Sequence, residues 1–209
     1  DGVNVTQINN NLTHAGAFSG TYENPNISAA FATWLDKMVP DVVHFQHLIY
    51  LSTSCVREAA KRNIPILMTL HDYWLICQRG RFLKPDLSVC PGQTDLGCAQ
   101  CFAHLLDPKT AVLNSLLGPL LRKYPSFRDI VRRLFGKRVS SRKMSPVAVQ
   151  QIRQRMEHVR ELCQLISLFL APSRYLRQQF LNFGIPEDKI IYHECGLDAN
   201  GLEDPKSTR

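Results

Sequence analysis

Two groups of residues in this 209-residue chain have types and spacings suited to chemistry. The first is His71-Asp72-Tyr73-Trp74, which follows directly on the apolar run Ile66-Leu67-Met68-Thr69-Leu70. A histidine at the carboxyl end of a buried parallel strand lies on the edge where open α/β sheets bind ligands. Its imidazole can donate or accept one hydrogen bond, which suits a ligand hydroxyl. It can equally serve backbone groups under the following loop. Asp72 is suited either to capping the next turn or to orienting a ligand. Tyr73 and Trp74 are suited either to stacking on a flat ligand face or to packing.

The second group is Cys77, Cys90, Cys98 and Cys101, spaced C-x12-C-x7-C-x2-C in a loop rich in Pro, Gly and Asp. One C-x2-C knuckle and two upstream thiols can complete a tetrahedral thiolate zinc site, and such a loop has little apolar core of its own. Free thiols or a disulfide are the alternatives. Cys55 and Cys163 read as small buried hydrophobes. His44 and His47 could join His71 on a metal, but His44 alternates into a predicted strand and is expected to pack. Further on, Ser173 reads as a helix N-cap, with a cleft-facing role as the alternative. Arg174 in that first turn reads as solvent-facing or as a contact for an anionic ligand.

These residues need a scaffold, and the pattern supplies one. A helix is expected over 28–38 with Ser28 as its cap and Phe31, Trp34, Leu35 and Met38 on one face. A strand follows over 42–45, a helix over 52–62 capped by Ser52 or Thr53, and a strand over 66–70. Residues 71–145 interrupt the alternation, first as the cysteine loop and then with helical apolar pairs such as Leu116-Leu117 and Leu120-Leu121. Ser145-Pro146 opens a helix to about Gln164, with Val149, Ile152, Met156, Val159 and Cys163 on one face. A strand over 166–171, a helix closed by Gly184 and a strand over 189–193 complete the order. Strand–helix–strand units in series argue an α/β fold with a doubly wound, Rossmann-like parallel sheet. The expected domain runs over 1–198, with an insertion at 72–145 and a tail or linker at 199–209.

Composition narrows the functions. Hydrophobic residues are 44% and charged residues 21%, which excludes disorder as the main state. The net charge of +7 is uneven. Residues 122–160 hold twelve basic and two acidic side chains, while the rest of the chain is slightly acidic. One anionic partner at one place is the implication. Leu116, Leu120, Ile130, Val131, Leu134 and Phe135 interleave with that basic set, as on a helix lying against an anionic membrane. A solvated basic face over an apolar packing face is the alternative. The basic stretch lacks interleaved surface aromatics and any nucleic-acid motif, so nucleic acid is disfavoured as a partner. The chain opens on Asp1 and ends in a polar stretch, and both ends read as cut from something longer. Sequons at Asn4, Asn11 and Asn26 read as chance in an Asn-rich stretch. With an odd number of cysteines, seven, a cytoplasmic place is expected, peripheral on the inner membrane face if the basic segment meets lipid.

Three segments in series resemble the N-terminal half of the GT-B retaining glycosyltransferases of family 4. They are Pro40-Asp41-Val42-Val43-His44-Phe45, Ile64-Pro65-Ile66-Leu67-Met68-Thr69-Leu70-His71-Asp72-Tyr73-Trp74, and Phe169-Leu170-Ala171-Pro172-Ser173-Arg174-Tyr175-Leu176. Phe180, Gly184-Ile185-Pro186, Lys189-Ile190-Ile191 and Gly196-Leu197-Asp198 continue the third. The resemblance implies a hexosyltransferase that moves a sugar from a nucleotide-sugar to a glycan or lipid-linked acceptor, as in cell-envelope polysaccharide biosynthesis. It implies that His71 faces the cleft and contacts the donor sugar, with Asp72, Tyr73, Trp74, Ser173 and Arg174 as candidate substrate contacts. No cofactor is expected for catalysis, and structural zinc is expected at the four loop cysteines. The family's Gly-rich first loop and its second domain, with the donor site and a two-glutamate motif, have no counterpart in this sequence, and Glu194-Cys195-Gly196 stands where the family has Pro-Asn-Gly. The expected role is therefore acceptor binding without turnover by this piece alone. The rival expectations are a basic, zinc-containing nucleic-acid module and a noncatalytic scaffold.

Overall fold

The computed structural model describes residues 2–10, 18–102, 144–194 and 196. The apolar pairs at 116–135, the linker at 199–209 and nine of the twelve basic residues of the 122–160 segment lie outside them.

The described chain forms a four-stranded parallel sheet with flanking helices. Its elements are α1 (Pro25–Met38), β1 (Val43–Phe45), α2 (Ser54–Lys61), β2 (Ile66–Thr69), α3 (Asp95–Cys101), α4 (Pro146–Leu165), β3 (Leu168–Ala171), α5 (Arg174–Phe183) and β4 (Ile190–Tyr192). The strand order β1-β2-β3-β4 follows the chain, and every pairing is parallel. Right-handed crossovers in such an order carry the connecting helices to one face. The reversal of order that makes a sheet doubly wound does not occur among the described strands.

The register explains the core. Val43 stands beside Ile66, Phe45 beside Met68, Met68 beside Phe169 and Phe169 beside Ile190, so these residues share one face. All are buried, together with Cys55, Val56 and Ala59 of α2, Leu162 and Cys163 of α4, and Leu176 and Phe180 of α5. The other face carries His44, Leu67, Thr69, Leu168, Leu170 and Ile191, and among the described residues it is only partly covered.

Local chemistry sets the helix ends. Helix α1 begins earlier than its apolar spacing predicts, because Pro25 takes the first-turn position and the Asn24 side chain accepts from Asn26 N at 3.1 Å and Ile27 N at 3.4 Å. Ser28, the expected cap, is inside the helix and donates to the Asn24 carbonyl. Met38, expected on the packing face, is 44% exposed at the last turn. Helix α2 starts after Thr53, and Ser52 Oγ instead joins Asn24 N and Ser54 N. The expected caps do hold at Ser145, which accepts from Ala148 N, and at Ser173, which accepts from Leu176 N, both at 3.1 Å. Gly184 closes α5 at φ 109°, a left-handed position that glycine takes without strain.

Helix α4 is joined to α2 and the N-terminal segment by a polar knot. His158 Nε2 stands 2.8 Å from Thr53 Oγ1, which itself donates to the Tyr22 carbonyl at 2.8 Å. Arg57 donates to His158 Nδ1 at 3.3 Å, so the ring is neutral with its proton on Nε2. Burial pushes His158 below its usual value, and the charge of Glu23 only partly offsets this. A histidine depressed in the fold binds fewer protons there than in the unfolded chain, so stability falls as pH drops below about 6.5. Melting temperatures from pH 8 to 5 are expected to fall on the acid side, and His158→Asn is expected to reduce that slope. An unchanged slope in the variant contradicts the assignment.

Candidate functional site

The carboxyl ends of β1 and β2 bring the first chemical group together. His71 Nε2 lies 2.8 Å from Gln46 Oε1, so it carries the proton and donates. Gln46 Nε2 in turn stands 3.2–3.3 Å from the two nitrogens of the His44 ring, and His44 Nε2 is 2.8 Å from Thr69 Oγ1. The result is a row of polar side chains across the ends of two adjacent strands. His71 is exposed at one end of it, and among the described residues its Nδ1 has no partner. A neutral ring held this way offers an acceptor lone pair to a ligand hydroxyl. His44 is exposed in this row, where packing was expected: β1 is an edge of the described sheet and His44 alternates onto its half-open face.

Asp72 acts beside this row. Ile49 N donates to His47 Nδ1 at 2.8 Å, which leaves His47 Nε2 as the donor to Asp72 Oδ2 at 3.2 Å. The other carboxylate oxygen accepts from Trp74 N at 2.7 Å. Burial works to raise the Asp72 carboxyl, yet these two hydrogen bonds hold it below the usual carboxylate range. Asp72 therefore caps the turn after β2 and ties it to the turn after β1. A Cβ at Gly80 would stand 3.1 Å from Asp72 Oδ2, so the chain returns close against this carboxylate, at a glycine with φ 70°.

Trp74 is 3% exposed and packs against the His47 ring at 5.8 Å, so it presents no stacking face to a sugar. Tyr73 pairs with Phe82 at 4.7 Å and anchors the loop. Ser173 is the cap of α5, in the turn after β3, the strand next to β2, and its Oγ accepts from Leu176 N. Arg174 is exposed, with its guanidinium 4.9 Å over the Tyr192 ring. The structure thus places His71 and Asp72 together in the turn after β2, Ser173 and Arg174 after the neighbouring β3, and Trp74 in the core.

Two contributors escaped the sequence reading. Gln46 carried no signal, being one amide in a turn. Arg155 carried one: it sits between Ile152 and Val159 at helical spacing, on the buried face of α4. It is 2% exposed, donates to the Trp74 carbonyl at 2.7 Å and the Leu75 carbonyl at 3.1 Å, and lies over the rings of Trp74 and Tyr22 at 5.4 and 5.7 Å. Burial lowers its pKa to about 10, which leaves it charged at neutral pH.

The family follows from comparison with known proteins, where the model of Glycosyltransferase Family 4 matches residues 14–200. This chain belongs to Glycosyltransferase Family 4. No curated protein and no solved structure matches it. The match supports an N-terminal domain of a family-4 glycosyltransferase, and the parallel α/β sheet agrees with it.

Within this family-4 domain the four loop cysteines line one cavity of about 30 Å³. Cys77 lies in the turn after Trp74, Cys90 follows the antiparallel bridge Leu83–Val89, and Cys98 and Cys101 lie one turn apart on α3. Burial pushes the Cys98 thiol up to about 11, with charge at Cys77, Cys101 and Cys90 adding to the effect. Among the described residues no group of three or more His, Cys, Asp or Glu side chains is arranged, as placed, to hold a metal ion. That includes His44, His47 and His71. Cys55 and Cys163 are buried, as small hydrophobes are expected to be. No helix among the described residues is long and apolar enough to cross a membrane.

Proposed function

We propose that this domain forms the acceptor side of a glycosyltransferase that moves a hexose from a nucleotide-sugar, with retention, onto a hydroxyl of a glycan or lipid-linked acceptor. In that reaction the bond from the anomeric carbon to the leaving phosphate breaks, a bond to the acceptor oxygen forms, and the acceptor hydroxyl loses its proton. The observation that carries the reading is the exposed His71, oriented by Gln46 at the ligand-binding edge of a family-4 domain. Its ring accepts a hydrogen bond from a sugar hydroxyl and fixes the sugar relative to the sheet edge. Asp72 holds the turn that presents His71 and need not touch substrate. Donor binding and turnover require groups outside this domain, so the isolated chain is expected to bind acceptor without transfer.

We read the acceptor's carrier from charge. Three basic residues of the 122–160 segment have partners on the described domain: Arg155 is buried, while the exposed Arg153 pairs with Asp95 at 2.9 Å and the exposed Arg160 lies 5.2 Å over Phe183. The nine others supply the anionic contact, for which a cytoplasmic membrane face carrying a lipid-linked acceptor is the reading we favour.

The full-length protein, screened with nucleotide-sugars, is expected to transfer one of them. His71→Ala is expected to lower kcat by about 10²-fold with an unchanged circular dichroism spectrum. Turnover equal to wild type removes His71 from the site. Sedimentation with anionic but not neutral vesicles is expected of the same protein, and equal binding to both, or to neither, contradicts the membrane reading.

A further inference from the structure

The cavity between α3, α4 and the turn after Trp74 has no part in the row at the strand ends, and its lining has a chemistry of its own. Four sulfurs come to it from three separate pieces of chain, at 77, 90 and the 98/101 pair. Chance does not readily bring four of a chain's seven cysteines to one cavity with room for about one water.

A second, independent observation concerns charge. Arg155 and Arg79 also line the cavity. Arg155 is buried, and among the described residues its hydrogen bonds go to carbonyl oxygens and the Met156 sulfur and its charge faces the Trp74 and Tyr22 rings, with no carboxylate in either set. Its Nε, fully buried, has no hydrogen-bond partner among the described residues. Arg79 likewise gives its Nε to the Leu83 carbonyl at 3.0 Å and forms no ion pair among the described residues. A buried guanidinium without a counter-charge is costly, and an unpaired donor adds to the cost. The missing element is a compact anion that accepts hydrogen bonds.

We infer that Cys77, Cys90, Cys98 and Cys101 bind one zinc ion as thiolates, and that the resulting centre is the counter-charge for Arg155 and Arg79. Four thiolates on a dication carry a charge of −2, which two guanidinium groups balance, and a metal-bound sulfur gives the Arg155 Nε–H its acceptor. Binding proceeds by displacement of the four thiol protons to solvent. The four cysteines line the cavity but, as placed, do not form a group that holds a metal ion, so binding requires their side chains to shift. Two disulfides would use the same sulfurs but leave both cations uncompensated, and this distinguishes the two readings. The site is structural, since four protein ligands leave no open position. Its place fits that role, for it clamps α3 and the 77–90 loop to α4 beside the turn that carries Asp72.

Metal analysis of the full chain, purified under reducing conditions with no added metal, tests this. One zinc per chain is expected to survive gel filtration. Stripping it with chelator is expected to lower the melting temperature, and stoichiometric zinc is expected to restore it. Cys98→Ser and Cys90→Ser are expected to reduce zinc content at least tenfold, while Cys163→Ala, outside the cavity, retains it. If the serine variants do not fold, the zinc content of the wild-type chain decides. Less than about a tenth of a zinc per chain overturns the inference, as does a mass 4 Da low from two disulfides, or iron with visible absorption in place of zinc.

Discussion

Arg155 is the constraint on which the arrangement around the sheet edge depends. A parallel strand ends at its carboxyl edge in backbone that must leave the sheet, and there the ladder no longer satisfies its polar groups. Leu70 still pairs with the Leu170 carbonyl at 2.9 Å, but beyond it the chain turns away. Arg155 reaches from α4 to take up the carbonyls of Trp74 and Leu75, and its cation lies against the Trp74 ring. A single buried side chain thereby joins the longest described helix to the turn containing His71 and Asp72. The turn is held from one side by this grip and from the other by the His47–Asp72 hydrogen bond. Between these two supports His71 is placed without itself being buried.

Such placement divides the labour among residues that a motif lists together. In His71-Asp72-Tyr73-Trp74, the first presents a ring to solvent, the second caps the turn, the third packs on Phe82 and the fourth fills the core. Adjacent residues at a strand end point in different directions, so a run of four chemically promising side chains rarely serves one ligand as a unit. The row that does face outward, Thr69, His44, Gln46 and His71, is assembled across two strands by their parallel register.

Much of the fold was legible because it depends on local rules. The strands at 43–45, 66–69, 168–171 and 190–192 are short apolar runs between breakers, and the Ser145 and Ser173 caps are local hydrogen bonds. Where local signals competed, the reading slipped. Asn24 followed by Pro25 outranks Ser28 as a helix start, and His44 was assigned to the packed side because alternation tells which residues share a face, not which face is covered. The polar row could not be read at all, since Gln46 meets His44 and His71 only through tertiary register. Arg155 was the legible exception that went unread. A charge at a core position of a helix must have a partner, and spacing alone placed it there. The basic segment illustrates the converse: a local charge excess measures composition, and three of its members are used within the fold.

Arg155 holds the turn after β2 in place through the Trp74 and Leu75 carbonyls. Hydrogen–deuterium exchange of wild type and Arg155→Lys, read on peptides covering 70–80 and on peptides covering β2 and β3, tests it most directly. Lysine keeps the charge but cannot span both carbonyls. Exchange over 70–80 is expected to be at least about tenfold faster in the variant, equivalent to about 1.4 kcal/mol of local stability, with the strands unchanged. Equal exchange over 70–80 in the two proteins would contradict it.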